Sequence, residues 1–206
     1  MIYLISGSPR GGKSILSRKL SKKLNIPYLS TDNIRPIVMP YFRTGEQNKK
    51  FPFEKMFDLA AIDKYFLNYN SRQIVNTDLV EARTIWPGVK RLISHLLDCK
   101  MDYIIEGVHL LPNLVKEFKS NRDVKIVFLT KLDEEKIVSG IFKNKKNSDW
   151  ILDNIKDKST IRLAAESLTA YGVYFLKETH KYNFECINTE DDFPRQLDKA
   201  VHFFAN

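Results

Sequence analysis

The run Gly7-Ser8-Pro9-Arg10-Gly11-Gly12-Lys13-Ser14 is the feature that most restricts the fold of this 206-residue chain. It fits the pattern G-x-x-x-x-G-K-[ST] at every required position, and it lies between an apolar run at residues 2–6 and a segment with leucines at every fourth position. Glycines let the backbone curl so that successive N–H groups point inward, beside the N-terminus of the following helix. The pattern therefore predicts a phosphate-binding loop between a buried strand and a helix.

The last two residues of this phosphate loop (residues 7–14) have predicted roles of their own. We expect the Lys13 amine to reach the β- and γ-phosphates of ATP, and the Ser14 hydroxyl to ligate Mg²⁺. The other six residues are expected to contact ATP mainly through the backbone. The alternative is a chance glycine-rich turn with a surface lysine, but eight matching residues between a strand and a helix favour the first reading. ATP and Mg²⁺ are therefore the expected cofactors.

Hydrophobic patterning along the rest of the chain predicts alternating strands and helices. Apolar runs that indicate buried strands lie at residues 2–6, 28–30, 102–105, 124–129 and 184–187. The segments between them have helical periodicity, and Pro87 is expected in the first turn of a new helix. Strands separated by helices predict an α/β fold, in which a five-stranded parallel sheet lies between two helical layers. We expect one domain over residues 1–206.

Acidic residues follow two of these strands, at the sheet edge where ligands bind in such folds. Asp32 comes after the second strand, where its carboxylate would orient an acceptor hydroxyl or hold the metal; the alternative is a helix N-cap. Glu106 ends the third strand and is expected in the Mg²⁺ shell; the alternative is a capping or salt-bridged carboxylate. Because phosphoryl transfer depends on positioning, metal and charge neutralisation, Lys13 and Asp32 are the catalytic candidates.

Two further side chains lie near these acids in the sequence. Arg35 precedes a proline that favours an extended backbone, and it is a candidate for binding an acidic group on the acceptor. A plain surface arginine is the equal alternative. His109 lies two residues beyond Gly107 and is a weaker candidate for an acceptor contact, since a lone histidine is more often structural.

Charge and composition narrow the possible partners without choosing among them. The net charge is +8 and the isoelectric point is about 9.3, which fits nucleic acid, an anionic membrane or a phosphorylated metabolite. No apolar run approaches the ~20 residues that cross a bilayer, and the N-terminal run is too short for a signal peptide. A cytoplasmic protein is therefore expected. Cys99 and Cys186 match no metal or redox spacing and are expected to be buried thiols.

With these loops identified, the chain resembles the P-loop small-molecule kinases, the superfamily of adenylate, shikimate and gluconate kinases. It looks most similar to the 2-phosphoglycerate kinases and the related zeta-toxin-like kinases. The residues that carry the resemblance are 7–14, 30–35, 81–89 and 105–110. The phosphate loop identifies the superfamily only. The other runs are more specific to the kinases named here, but they are short. Glu81, the first residue of the run 81–89, is therefore a further candidate for contacting the acceptor.

The resemblance implies roles for whole segments. Residues 33–99 would form a helical region that closes over the acceptor, and Asp32 would act as its base or orienting group. The loop after the fifth strand would cradle the adenine, which implicates Asn188 and Thr189 in binding ATP. Residues 131–165 would form a lid that carries basic residues.

The lid is where the sequence departs from these kinases, which often have an R-x-x-x-R pattern one helix after the fourth strand. No arginine lies between Lys131 and Trp150. The lid candidates are therefore Lys143, Lys145 and Lys146, which neutralise phosphate charge but lack the planar fork of arginine. The alternative is a solvated lysine-rich loop.

Four functions remain open at this point. The favoured one is an ATP-dependent kinase that transfers the γ-phosphoryl group to a small molecule, with a phosphorylated or carboxylated alcohol as the suggested acceptor. A polynucleotide or RNA kinase is the alternative that the charge favours, with a faint basic and aromatic stripe at Phe42, Arg43, Lys49, Lys50 and Phe51. A regulatory GTPase is disfavoured because the N-K-x-D and D-x-x-G motifs are absent. A non-catalytic nucleotide-binding module is disfavoured by Asp32 and Glu106.

Overall fold

The computed structural model describes residues 1–143 and 153–205. Its centre is a parallel sheet of five strands in the order β2-β3-β1-β4-β5. The strands are β1 (Ile2–Gly7), β2 (Tyr28–Ser30), β3 (Tyr103–Glu106), β4 (Val124–Thr130) and β5 (Glu185–Asn188). Every boundary lies within one residue of the predicted one, so the predicted sheet is confirmed.

Helices connect the strands and fill the long interval between β2 and β3. They are α1 (Lys13–Leu24), α2 (Ile34–Val38), α3 (Thr44–Lys50), α4 (Pro52–Met56), α5 (Ile62–Asn68), α6 (Ser71–Asp98), α7 (Pro112–Val115), α8 (Glu134–Lys143), α9 (Thr160–Lys181) and α10 (Phe193–Ala205). A 3₁₀ turn, Thr31–Asn33, links β2 to α2. None of the described helices is both long and apolar enough to span a bilayer.

Side chains that alternate along each strand divide the core into two layers. In β1, Ile5 faces the α1 and α10 side, where Leu16, Leu20 and Phe204 are buried. Its neighbour Leu4 belongs to the opposite core, which contains the buried faces of α6 and α9. Because successive strand residues point to opposite faces, an apolar strand needs helices on both sides. The three-layer α/β/α prediction is confirmed.

The prediction that Pro87 begins a new helix was wrong, because Pro87 lies inside the 28-residue helix α6. Buried side chains on both sides of it, among them Ile85 and Val89, belong to one apolar face packed on the core. Pro87 itself is exposed, so the carbonyl that loses its N–H partner is on the solvent side. Burial of the continuous face therefore outweighs the local cost of the proline.

Two other expectations differ from the structure. Cys99 follows the last residue of α6 and is exposed rather than buried, while Cys186 is half-buried. The helical periodicity expected between β4 and β5 is interrupted at residues 155–159, and α9 begins at Thr160. Asp63 of α5 accepts hydrogen bonds from the backbone N–H groups of Lys156 and Asp157, at 3.0 and 3.2 Å, and from the Thr160 hydroxyl. A side chain distant in sequence thus holds this turn.

Candidate active site

The phosphate loop connects β1 to α1 at the carboxyl edge of the sheet. Its backbone has positive φ angles at Gly7 (126°), Arg10 (61°) and Gly12 (101°). A Cβ atom at Gly7 would lie 1.9 Å from the Leu129 carbonyl oxygen in β4, so only glycine fits there. The Ser8 N–H donates to the same carbonyl at 2.9 Å. The predicted loop thus forms, and it is anchored to the neighbouring strand.

The Lys13 side chain curls over this loop. Its Nζ donates to the carbonyls of Gly7, at 3.2 Å, and Ser8, at 2.8 Å. Burial lowers the pKa of the Lys13 amine, and the nearby Glu106 carboxylate opposes that shift. The amine therefore lies against the backbone that is predicted to bind phosphate.

A hydroxyl and a carboxylate meet beside the phosphate loop. Ser14 Oγ donates to Glu106 Oε1 at 3.1 Å, which joins the start of α1 to the end of β3. Burial raises the pKa of the Glu106 carboxyl, and Lys13 opposes this. Hydroxyl and carboxylate oxygens are the hard ligands that Mg²⁺ prefers, and a cation would relieve the desolvated negative charge. Ser14 and Glu106 therefore fit the predicted metal role.

Asp32 also lines this cavity, and it lies in the 3₁₀ turn after β2. Its side chain is 71% exposed. The Ser30 hydroxyl caps the turn by accepting a hydrogen bond from the Asp32 N–H at 3.3 Å. The carboxylate of Asp32 is therefore not the N-cap that formed the alternative reading, and it lines the cavity together with Lys13 and Glu106.

His109 is buried beneath this turn, at 4% exposure. Its Nδ1 lies 2.9 Å from Thr31 Oγ1 and 3.5 Å from Asp32 Oδ1. Its Nε2 is buried and has no hydrogen-bond partner among the described atoms. Burial lowers the pKa of the imidazole, which favours the neutral ring, while Asp78 and Asp32 oppose that shift. One face of the ring supports the turn, and the histidine also lines the cavity.

Arg35 is held by two glutamates. Its guanidinium lies 2.9 Å from Glu54 and 3.4 Å from Glu81, and stands over the Phe53 ring at 4.9 Å from the centroid. The fully buried Glu81 also accepts the Phe53 backbone N–H at 2.8 Å. Burial raises the pKa of Glu81 to about 7. Arg35 lines the cavity, whereas Glu81 fixes Arg35 and the start of α4 from behind.

The cavity that these residues share has a volume of about 450 Å³. Sequence reasoning missed the groups that complete its wall: Phe53, Tyr65, Phe66, Asp78 and Tyr171. Asp78 had a detectable signal, because it interrupts the apolar face of α6 four residues after Ile74 and four before Ala82. The aromatic residues had no such signal in the sequence, because they come from three separate helices.

The predicted adenine loop follows β5 and is attached to the phosphate loop. The buried Thr189 hydroxyl lies 3.0 Å from the Gly11 carbonyl and 3.2 Å from that of Thr130. The exposed Asn188 side chain donates to Glu190 at 2.7 Å. Thr189 therefore positions the phosphate loop from below, which is a supporting contact that the prediction did not specify.

The predicted lid falls partly outside the described residues. Lys143 is the last residue of α8, and Lys145 and Lys146 lie outside the described ranges. Arg162, on α9, pairs with Glu135 at 2.9 Å.

Of the two aromatic residues in the predicted nucleic-acid stripe, Phe51 is buried and Phe42 is half-buried. Phe51 is 1% exposed and packs edge-on against Phe42, with ring centroids 5.6 Å apart. A buried ring offers no face for a base to stack on.

Two curated proteins are similar to this chain, whereas no family model matches it. A mevalonate-3-phosphate 5-kinase from Thermoplasma acidophilum is 27% identical over 56% of this chain and 54% of that protein. A 2-phosphoglycerate kinase from Methanothermobacter thermautotrophicus is 23% identical over 98% of this chain and 66% of that protein. The chain thus spans between about half and two thirds of the length of the curated relatives it matches.

A solved structure supports the same assignment of fold. Deoxyadenosine kinase from M. mycoides, with bound dATP, has a TM-score of 0.53 and 15% identity, and the match covers 100% of both chains. At this identity the likeness concerns the fold alone. The chain has the three-layer fold of the P-loop kinases, which confirms the predicted resemblance.

Proposed function

We propose that this protein is an ATP-dependent kinase that transfers the γ-phosphoryl group to a small-molecule acceptor. The observation that carries the proposal is the meeting of Lys13, Ser14 and Glu106 with Asp32 around one cavity. A nucleotide-binding module without transfer has no use for a second carboxylate, beyond Glu106, in that cavity. The proposal extends to ATP and Mg²⁺ as cofactors.

The residues divide the chemistry between them. Residues 7–14 bind the phosphates, and the Lys13 amine neutralises charge that develops on the transferring group. Ser14 and Glu106 would hold Mg²⁺, which would supply positive charge to offset that of the phosphates. Asp32 orients the acceptor hydroxyl and accepts its proton. The hydroxyl oxygen bonds to the γ-phosphorus, the bond from that phosphorus to the β–γ bridging oxygen breaks, and its electron pair leaves with ADP.

Two segments keep the roles that the resemblance implies. Residues 33–99 supply much of the cavity wall, which suits an acceptor region. Residues 131–165 are proposed as the lid, which would exclude water during transfer. The names of the two curated relatives describe kinases of phosphorylated acids, so such acids belong in the first set of acceptors to test.

The test is transfer of labelled γ-phosphate from Mg-ATP to a mixed panel of acceptors. The panel holds phosphoglycerates, sugars, sugar acids, nucleosides, nucleoside monophosphates and 5′-hydroxyl oligonucleotides. Label in a small molecule, lost when Mg²⁺ is chelated, is the expected result. Label in oligonucleotides alone would support the nucleic-acid alternative instead.

A pair of variants assigns the reaction to the site. Asp32→Asn is expected to lower kcat by ~10²-fold or more, because it removes the base and orienting group. Asp98→Asn, at the exposed end of α6, is the matched control and should keep full activity. Full transfer by Asp32→Asn would contradict the role proposed for Asp32.

A further inference from the structure

The cavity contains two polar groups, outside the phosphate loop, that the transfer step does not use. Asp78 projects from α6, and His109 follows β3; both line the cavity. Their ligand-type atoms lie within 4.8 Å of each other. The transfer of the phosphoryl group assigns no role to Asp78 or His109, so their placement in the cavity needs a separate explanation.

The neighbours of His109 Nδ1 favour one tautomer of the imidazole ring. Its Nδ1 faces the Asp32 carboxylate at 3.5 Å and the Thr31 hydroxyl at 2.9 Å. A carboxylate only accepts hydrogen bonds, whereas a hydroxyl either donates or accepts, so a proton on Nδ1 would face groups that can accept it, and we assign this tautomer to His109. The buried and unpartnered Nε2 is then a lone-pair acceptor.

Asp78 adds a second acceptor. Tyr171 on α9 donates its phenolic hydroxyl to Asp78 Oδ2 at 2.6 Å, which fixes the carboxylate in place. Burial raises the pKa of this carboxyl, while His109 and Arg35 act in the opposite direction. A half-buried carboxylate of this kind is stabilised by a ligand that donates hydrogen bonds or carries positive charge.

The cations among the residues that line the cavity are Arg10, Lys13 and Arg35, and the first two belong to the phosphate loop. Arg35 lies between Glu54 and Glu81. Lys13 is directed to the phosphate loop. Among the described residues, the acceptor side of the cavity therefore combines two hydrogen-bond acceptors with the aromatic side chains of Phe53, Tyr65 and Phe66. An anionic ligand would face Asp78 and would compete with two glutamates for Arg35.

A metal ion explains the same cluster less well. Asp78, Glu81 and His109 lie close enough together to share one. However, Glu81 already accepts the Phe53 N–H at 2.8 Å and is paired with Arg35. A cation there would displace the guanidinium and break the contact that holds α4.

We propose that Asp78 and His109 select a non-anionic acceptor, an alcohol whose hydroxyl or ammonium groups donate hydrogen bonds to Asp78 and to His109 Nε2. Its apolar face packs against the aromatic wall. This inference rests on the proposed kinase function, and it departs from the phosphorylated or carboxylated alcohol that the sequence suggested. The reacting hydroxyl remains beside Asp32, and the atoms transferred are those of the reaction above.

Acceptors that share a skeleton and differ in charge test this inference. One series is glucosamine, glucose, glucuronate and glucose 6-phosphate; the others are glycerol with 2-phosphoglycerate, and adenosine with AMP. We expect kcat/KM to be at least ~10-fold higher for the neutral or ammonium member than for the anionic member, the size expected for one charged hydrogen bond. Preference for the anionic members overturns the inference and leaves the kinase function standing.

A variant assigns the selectivity to the cluster. With the best neutral or ammonium acceptor, Asp78→Asn should raise the KM for the acceptor ~10- to 100-fold and leave the KM for ATP unchanged. Tyr171→Phe, which keeps the ring and removes the donor to Asp78, should raise the acceptor KM less, and it serves if Asp78→Asn does not fold. An unchanged acceptor KM in both variants, or an equal rise in the KM for ATP, overturns the assignment.

The two proposals fail in different ways. Lys13-dependent transfer to anionic acceptors alone rejects only the inference. No Lys13-dependent transfer to any member of any series rejects the kinase function, and the inference fails with it.

Discussion

The two sides of the cavity are built in different ways. The nucleotide side is a continuous run of eight residues, and its contacts with neighbouring strands are made largely by backbone atoms. The acceptor side brings together Asp32, Phe53, Asp78, His109 and Tyr171, which span almost 140 positions of the chain. A backbone site is determined by local conformation, whereas a side-chain site depends on how helices pack. Binding of nucleotide should therefore survive changes that abolish acceptor selection.

Lys13→Ala should produce the largest effect and test the nucleotide side alone. We expect a loss of ~10³-fold in kcat/KM for ATP, because the amine neutralises charge on the transferring phosphoryl group. Acceptor affinity, measured by equilibrium binding, should not change. Lys22→Ala, an exposed lysine of the same helix, is the control. Transfer by Lys13→Ala near the wild-type rate would show that the Lys13 amine takes no part in the reaction.

Gly107→Ala should damage the acceptor side. Gly107 has φ of 149°, and an added Cβ would lie 1.8 Å from Thr31 Oγ1, the hydroxyl that contacts His109. Strain and overpacking together should lower the free energy of unfolding by about 4 kcal/mol. Urea unfolding measures this, and ATP binding at low temperature should be retained.

The control for that change is Gly88→Ala. Gly88 lies inside α6 with no atom within 4 Å of its added Cβ. Alanine there should stabilise the protein by about 0.5–1 kcal/mol through helix propensity. Equal effects at the two glycines would mean that the packing around Thr31 does not constrain this side.

The smallest of the three predicted effects, after those of Lys13 and Gly107, concerns Glu81 and the pH dependence of the free energy of unfolding. Burial raises its pKa from 4.5 to about 7. Below about pH 4.5 it is protonated in both states and contributes no pH dependence. Between pH 4.5 and 7 the unfolded chain binds fewer protons than the folded one, so the free energy of unfolding falls as pH rises. The difference between the two pKa values corresponds to a loss of about 3 kcal/mol in the free energy of unfolding across this pH range.

The difference in unfolding free energy between wild type and Glu81→Gln, measured by urea titration across this pH range, isolates that contribution. The wild type should lose stability relative to the variant as pH rises. A difference that stays constant with pH would show that Glu81 has an ordinary pKa in the folded protein, and that Arg35 compensates its burial fully.

Much of the fold was predictable because its signals are local. All five strands, the phosphate loop and the positions of Asp32 and Glu106 follow from short runs whose hydrophobicity or motif is visible without tertiary contacts. The continuity of α6 through Pro87 was not predictable. The local rule for proline was overridden by burial of the helix on both sides of it.

The sequence by itself determined where phosphate is predicted to bind, because eight adjacent residues fix the course of the backbone. Only the tertiary structure decided what surrounds the acceptor. Packing pairs Arg35 with Glu54 and Glu81, leaves His109 Nε2 unpartnered among the described atoms and sets the Tyr171 hydroxyl on Asp78. Each of these contacts joins residues from different elements, and the free energy that forms them comes from burial of the whole core rather than from any local run.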